Sequence, residues 1–231
     1  MGEPLVIDAL RLSLVTSAAA TMAVVALGLP TAYLLATRRF RGKRILEALI
    51  DLPLVLPPTV AGVALLVAFG RAGLAGGVLR GLGITLPFST LGVVVAQAFV
   101  AVPFFVGAAR RGLADVDRRY LDMAATLGSR PGRTFLRVML PLAFPALLSG
   151  AAMSWARALG EFGATITFAG NLPGVTQTMP LAVYLALQSD LDAALALSVL
   201  LLAVSLGVLV IVRSAAGVPT AARSRARRAA D

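Results

Sequence analysis

Long apolar runs dominate the chain, separated by shorter polar stretches rich in arginine. Five of them stand out, over residues 12–36, 52–69, 91–109, 142–159 and 193–212. About 20 apolar residues in a helix cross the roughly 30 Å hydrocarbon layer of a bilayer, so each run is predicted to be a membrane-spanning helix, straight or modestly tilted. The first run reads as a retained span and not as a cleaved leader. Residues 1–8 carry Glu3 and Asp8 in place of a basic segment, and the apolar stretch is too long for a leader. The expected fold is therefore all-α and integral to the membrane, with about five transmembrane helices. Residues 1–213 form one membrane domain, and residues 214–231 form a basic tail that reads as disordered.

The runs are not uniform. The second is entered through Asp51-Leu52-Pro53-Leu54-Val55-Leu56-Pro57-Pro58. Proline lacks a backbone donor and breaks or kinks a helix, and freed carbonyls are tolerated in a bilayer only against protein or a water-filled cavity. Either a path-lining break or a packed kink satisfies that condition. Gln97 and Pro103 pose the same choice in the third run. Among the connectors, the Gly-rich residues 70–89 read as a loop. Residues 161–192 are too long for a simple turn; Leu181, Tyr184, Leu185 and Gln188 at helical spacing predict a short helix lying at the membrane face.

Basic residues fall on one side of this arrangement. Residues 38–44 hold five, residues 110–137 hold seven and the stretch from Arg213 holds five; Arg11, Arg71 and Arg80 fall on the other side, and Arg157 lies within a run. The excess of Lys and Arg marks the cytoplasmic face, which places the N-terminus outside and the C-terminus inside.

Composition narrows the chemistry. The 231 residues are 58% hydrophobic and only 14% charged, against about 25% charged in soluble domains. The chain has no Cys and no His, which excludes disulfides, thiol redox chemistry, Cys/His metal sites and His-based catalytic triads. Its net charge of +10 sits at the ends of apolar runs, so it reads as membrane orientation and not as nucleic-acid binding. Lys43 is the one lysine, and Arg44 follows it where a Walker A loop needs Ser or Thr. The chain has no P-loop of its own.

Two polar segments carry candidate function. In residues 115–141, Leu121, Ala124, Ala125 and Gly128 fall at i, i+3, i+4 and i+7, and Phe135, Val138, Met139 and Leu142 repeat that spacing. Gly128 suits a helix C-terminus and Pro131 the first turn of the next helix. This predicts a short helix, a Gly/Pro elbow and another short helix on the basic side. The small-residue face and the Phe135 corner suit a partner protein; a connector folded on its own spans is the plainer alternative. In the second segment Arg157 and Glu161 are four residues apart, close enough on a helix to pair, with Gly160, Phe162, Gly163 and Thr165 around the acid. Ionisable residues within spans face the bundle interior or a water-filled path, so this reads as a translocation-path or gating element, or as a self-satisfied pair joining two helices.

Residues 122–141 resemble the cytoplasmic signature loop of binding-protein-dependent ABC importer permeases. The match comprises Asp122, Ala124, Gly128, nine residues to Arg137, and then Val138, Met139, Leu140 and Pro141. Asp122 stands where Glu is usual and Met123 where Ala is usual. Arg157-Ala158-Leu159-Gly160-Glu161-Phe162-Gly163-Ala164-Thr165, Asn171-Leu172-Pro173-Gly174 and the proline-rich entry to the second run are similar to the molybdate branch of that family. The resemblance implies a type I importer permease in a bacterial cytoplasmic membrane, and a cargo of molybdate or a related oxyanion, tungstate or sulfate. It implies no cofactor in this chain, ATP and Mg being held by the partner ATPase. The expected partners are two ATPase subunits docked on Asp122–Pro141 with Phe135 among the contacts, an external binding protein, a second permease copy and the bilayer. The rival class, an ion-gradient-driven transporter, usually shows inverted repeats and several buried carboxylates; the sequence shows no repeat and one such acid, Glu161.

Overall fold

The computed structural model describes residues 3–215, and all regular structure among them is helical. In chain order the helices are α1 (Glu3–Thr37), α2 (Lys43–Val55), α3 (Pro58–Phe69), α4 (Gly76–Gly81), α5 (Thr90–Ala114) and α6 (Arg118–Thr126). They continue with α7 (Pro131–Thr134), a π-helical turn (Phe135–Met139), α8 (Leu140–Leu159), α9 (Gly163–Ala169), α10 (Met179–Leu187) and α11 (Leu191–Ala215). Four stretches are long and apolar enough to cross a bilayer: Leu5–Thr37, Thr90–Ala114, Pro131–Leu159 and Leu191–Ile211.

The second expected span is not one helix. Leu56 and Pro57 each precede a proline, which disfavours helical backbone, and both are extended, with ψ of 132° and 138°. The chain breaks there. Pro58 then occupies the first helical position of α3, whose 12 residues reach only about 18 Å. On the other side of the break α2 begins at Lys43 and buries none of its residues completely. Lys43 Nζ donates to the Leu35 carbonyl at 2.6 Å, satisfying an acceptor at the end of α1.

α5 is the central helix, packed against α1, α8, α9 and α2. Its largest buried contact group joins Phe105, Val106, Ala109 and Leu113 to Val24, Ala32 and Leu35 of α1 and to Met139, Ala143 and Leu147 beyond the elbow. A second group places Ala61 and Leu65 of α3 on Ala96 and Val100 of α5 and on Ala164 and Phe168 of α9. Here glycine permits the approach: a Cβ on Gly163 would lie 2.5 Å from Pro58 Cβ, and one on Gly62 2.6 Å from Thr167 Cβ.

Three further expectations change. The second helix of the elbow is not short; α7, the π turn and α8 run on as one rod, because the π turn lets the Leu140 N–H reach the Phe135 carbonyl and makes room for Pro141, which cannot donate and would crowd the carbonyl four residues back. The expected loop 70–89 contains α4. α10 forms as expected, and one of its faces is packed against α1 and α11. It buries Met179, Ala182 and Ala186 against Ala9, Ala194 and Leu197 and leaves Tyr184 and Leu185 exposed. Small residues allow the closer approach, and Ser13 Oγ accepts from the Met179 N–H at 2.7 Å. Ser214 and Ala215, expected in the tail, end α11, and the rest of the tail lies outside the described residues.

Candidate functional site

The elbow between α5 and α8 is built by local hydrogen bonds. Asp117 caps α6 by accepting from the Arg119 N–H at 2.9 Å. At the other end Gly128 adopts φ +74°, its N–H donates to Ala125 O, and the Ser129 N–H donates to Ala124 O, both at 2.9 Å. That is the Schellman arrangement, which needs a residue content with left-handed backbone. Between these caps α6 presents Tyr120, Met123 and Leu127, the last 86% exposed, with Leu136 exposed beyond the elbow. Asp122 is exposed and has no ion-pair partner among the described residues. Ala124, Val138 and Leu140 are half-buried and Pro141 is exposed. Phe135 is turned inward: its ring meets Tyr33 of α1 edge-on at 4.6 Å between centroids.

At the opposite end of the bundle Arg157 Nη1 lies 2.5 Å from Glu161 Oε2. Glu161 is 1% exposed, and its other oxygen accepts from the Ala164 N–H in the first turn of α9 at 2.8 Å. One carboxylate therefore joins α8 to α9 and satisfies a backbone donor that the start of a helix leaves without a partner. Gly160 is exposed at the end of α8, Phe162 leans on Tyr184 of α10 at 5.0 Å, and Gly163 lies against Pro58. Thr165 is fully buried, and its hydroxyl has no hydrogen-bond partner among the described residues. The two candidate segments thus stand at opposite ends of the bundle.

The structure adds charged residues outside both. The apolar run ends at Ala109, but α5 continues to Ala114 and carries Arg110 and Arg111 as helical residues. Arg110 forms an ion pair with Glu47 of α2. Arg111 faces a groove of about 540 Å³ between α2, α5 and α8, which Asp51, Phe104, Ser149 and Met153 also line. The signal available in the sequence was helical periodicity outlasting hydrophobicity: Ala109 and Leu113, four apart, are both buried.

Residues 14–217 match the family described as binding-protein-dependent transport system inner membrane component. The chain belongs to this family. A permease from Mycobacterium tuberculosis, named molybdenum transport system permease protein ModB, is 54% identical over 201 residues, 85% of this chain and 75% of that protein. The molybdate/tungstate transport system permease protein WtpB of Pyrococcus abyssi is 38% identical over 91% of this chain and 79% of its own length. Among solved structures, a permease chain of a bacterial ABC transporter that imports the polysaccharide alginate superposes with a TM-score of 0.77 at 12% identity, covering 95% of this chain and 81% of that one. The fold is therefore that of an ABC importer permease, a multi-pass membrane protein.

Proposed function

We propose that this permease is the membrane subunit of an ATP-driven importer for a tetrahedral oxyanion, with molybdate as its cargo. The observation that carries the reading is the elbow: a helix capped at both ends, packed on the central bundle through half-buried Leu121, yet displaying Tyr120, Met123 and Leu127 in the segment that resembles the family's signature loop. An exposed apolar face on a rigid mount suits a partner that pushes on it. High identity to permeases named for molybdenum and for molybdate/tungstate transport supports the cargo.

In this reading the basic end lies in the cytoplasm of a bacterium, the N-terminus is outside and the C-terminus inside. Two copies form the pathway, and each docks one ATPase on residues 122–141. Closure of the ATPases tips the pair outward to accept the anion from an external binding protein, and hydrolysis returns it inward. Arg157 and Glu161, joined to each other and to α9, hold the outer half of each copy together as that motion occurs.

The test is reconstitution. The permease is co-purified with its ATPase and placed in liposomes with loaded binding protein, and labelled molybdate uptake is followed with and without ATP. Uptake that needs ATP and is displaced by tungstate more strongly than by sulfate is the expected result. Transport by the permease alone, or uptake that survives ATP depletion under an ion gradient, overturns it in favour of a secondary transporter.

A further inference from the structure

Neighbouring residues on a helix point about 100° apart; both arginines border a small pocket with Glu47 and Asp51, but only Arg111 also lines the larger groove toward α8. Arg110 is neutralised by Glu47. Arg111 has no carboxylate within ion-pair distance among the described residues, although Asp51 lines the same groove. Its guanidinium lies back along α5: a Cβ built on Gly107 would sit 3.5 Å from Nη1 and 3.9 Å from Nη2. An arginine facing lipid near a helix end reaches outward to the headgroups. Arg111, itself exposed, runs the other way, lying back along its own helix beside Gly107, one turn before it.

The groove around it mixes apolar wall with few polar groups. Phe104 and Met153 supply apolar surface, while Ser149, on the α8 wall, is exposed. A guanidinium offers a planar fork of N–H donors that matches oxyanions, and a hydroxyl adds one more donor. Such a contact between apolar walls is stronger than the same contact in water. A transport path needs it to remain weak enough for release. Asp51 supplies the opposing effect, a carboxylate in the same groove that competes for the cation.

Resting on the oxyanion-permease reading above, we propose that Arg111 and Ser149 form an oxyanion contact on the release side of the pathway, and that Asp51 limits its affinity by exchanging with the anion on Arg111. The anion arrives at the fork, and as it leaves the guanidinium turns to Asp51. No bond is made or broken beyond these hydrogen bonds.

The experiment uses the permease–ATPase complex with binding protein in liposomes, and measures labelled molybdate uptake, ATPase rate, and molybdate retained by the nucleotide-free complex in detergent. R111Q is expected to lower uptake and retention about tenfold, the loss implied by one charge-assisted hydrogen bond, with the stimulated ATPase rate unchanged. R111K restores most of both because it restores the charge. D51N retains more molybdate than wild type yet takes it up more slowly, a split that a merely structural role for Asp51 does not produce. The double variant R110Q/E47Q serves as the control for charge lost beside the groove, since it removes the neighbouring ion pair as a unit and keeps Arg111. Uptake and retention by R111Q within twofold of wild type overturn the contact while leaving the importer reading intact. A wild-type complex that moves no tetrahedral oxyanion under ATP overturns the importer reading and the contact together.

Discussion

Arg157 and Arg111 are both guanidiniums on long helices, one near each end of the bundle, and each has an acid in its vicinity. At the Arg157 end everything closes. Glu161 is buried, both its oxygens are engaged, and Gly62 and Gly163 let α3 and α9 approach until no side chain fits between them. At the basic end the corresponding groups stay apart: Arg111 and Asp51 line one groove without pairing, and α2, which carries the acid, has no fully buried residue. A charge satisfied from every side builds structure and is costly to alter. A charge left beside an open groove contributes little to the fold and remains available to a ligand.

The sharpest way to break that comparison is to remove Glu161. Glu161→Ala leaves Arg157 in the bundle without its partner and the Ala164 N–H without an acceptor. Arg157 is itself 30% exposed and keeps some access to water, so the loss is that of a charged hydrogen-bond partner, about 1.5–3 kcal/mol, and the variant should melt clearly earlier in detergent. Arg111→Gln should stay within about 0.5 kcal/mol of wild type, as substitutions outside packed or paired positions do. Equal melting of Glu161→Ala and wild type, or a comparable loss in Arg111→Gln, would erase the distinction between the two ends.

The elbow gives a prediction of intermediate size. Gly128 holds φ +74°, which costs a side-chain-bearing residue roughly 1–2 kcal/mol, and a β-branched one at least that. A Cβ there meets nothing within 4 Å, so the bundle has no packing to lose. Gly128→Val is expected to insert and melt like wild type while uptake and its coupling to ATP use fall together. Gly128→Asn, which tolerates left-handed backbone, should recover a good part of that coupling. Normal coupling in the valine variant counts against residues 122–141 as the docking element.

Much of this molecule was legible before any coordinates. Four of the five apolar runs became long helices, while the fifth, residues 52–69, was broken by the prolines that flagged it; Gly128 with Pro131 marked the elbow, because these signals are local. The four-residue spacing of Arg157 and Glu161 was likewise enough to foresee that they can meet. What hydrophobicity hid was non-local. The α3–α9 contact depends on glycines a hundred residues apart, and Arg111 lay beyond the point where apolar character stops although the helix does not. Phe135 was placed on the right element, and its ring rests on Tyr33 of α1, a contact that the sequence left open beside a partner's surface. Periodicity identifies the face of a helix; it does not say whether the chain's own α1 or another protein covers it.

That last distinction yields the smallest effect and is open to a clean measurement. Phe135 meets Tyr33 edge-on, a geometry worth about 0.5–1.5 kcal/mol beyond the area it buries. Phe135→Leu and Tyr33→Leu keep apolar bulk and remove the ring pair, so the two singles and the double variant form a cycle whose coupling energy, read from unfolding in detergent, should fall in that range. The pair joins α1 to the π turn at the root of the elbow, so losing it should loosen the mount of α6 and lower ATPase stimulation slightly, equally in both singles. Should Phe135→Leu weaken ATPase binding while Tyr33→Leu does not, and the cycle show no coupling, then Phe135 reaches the partner directly and the inward contact is not what the side chain is for.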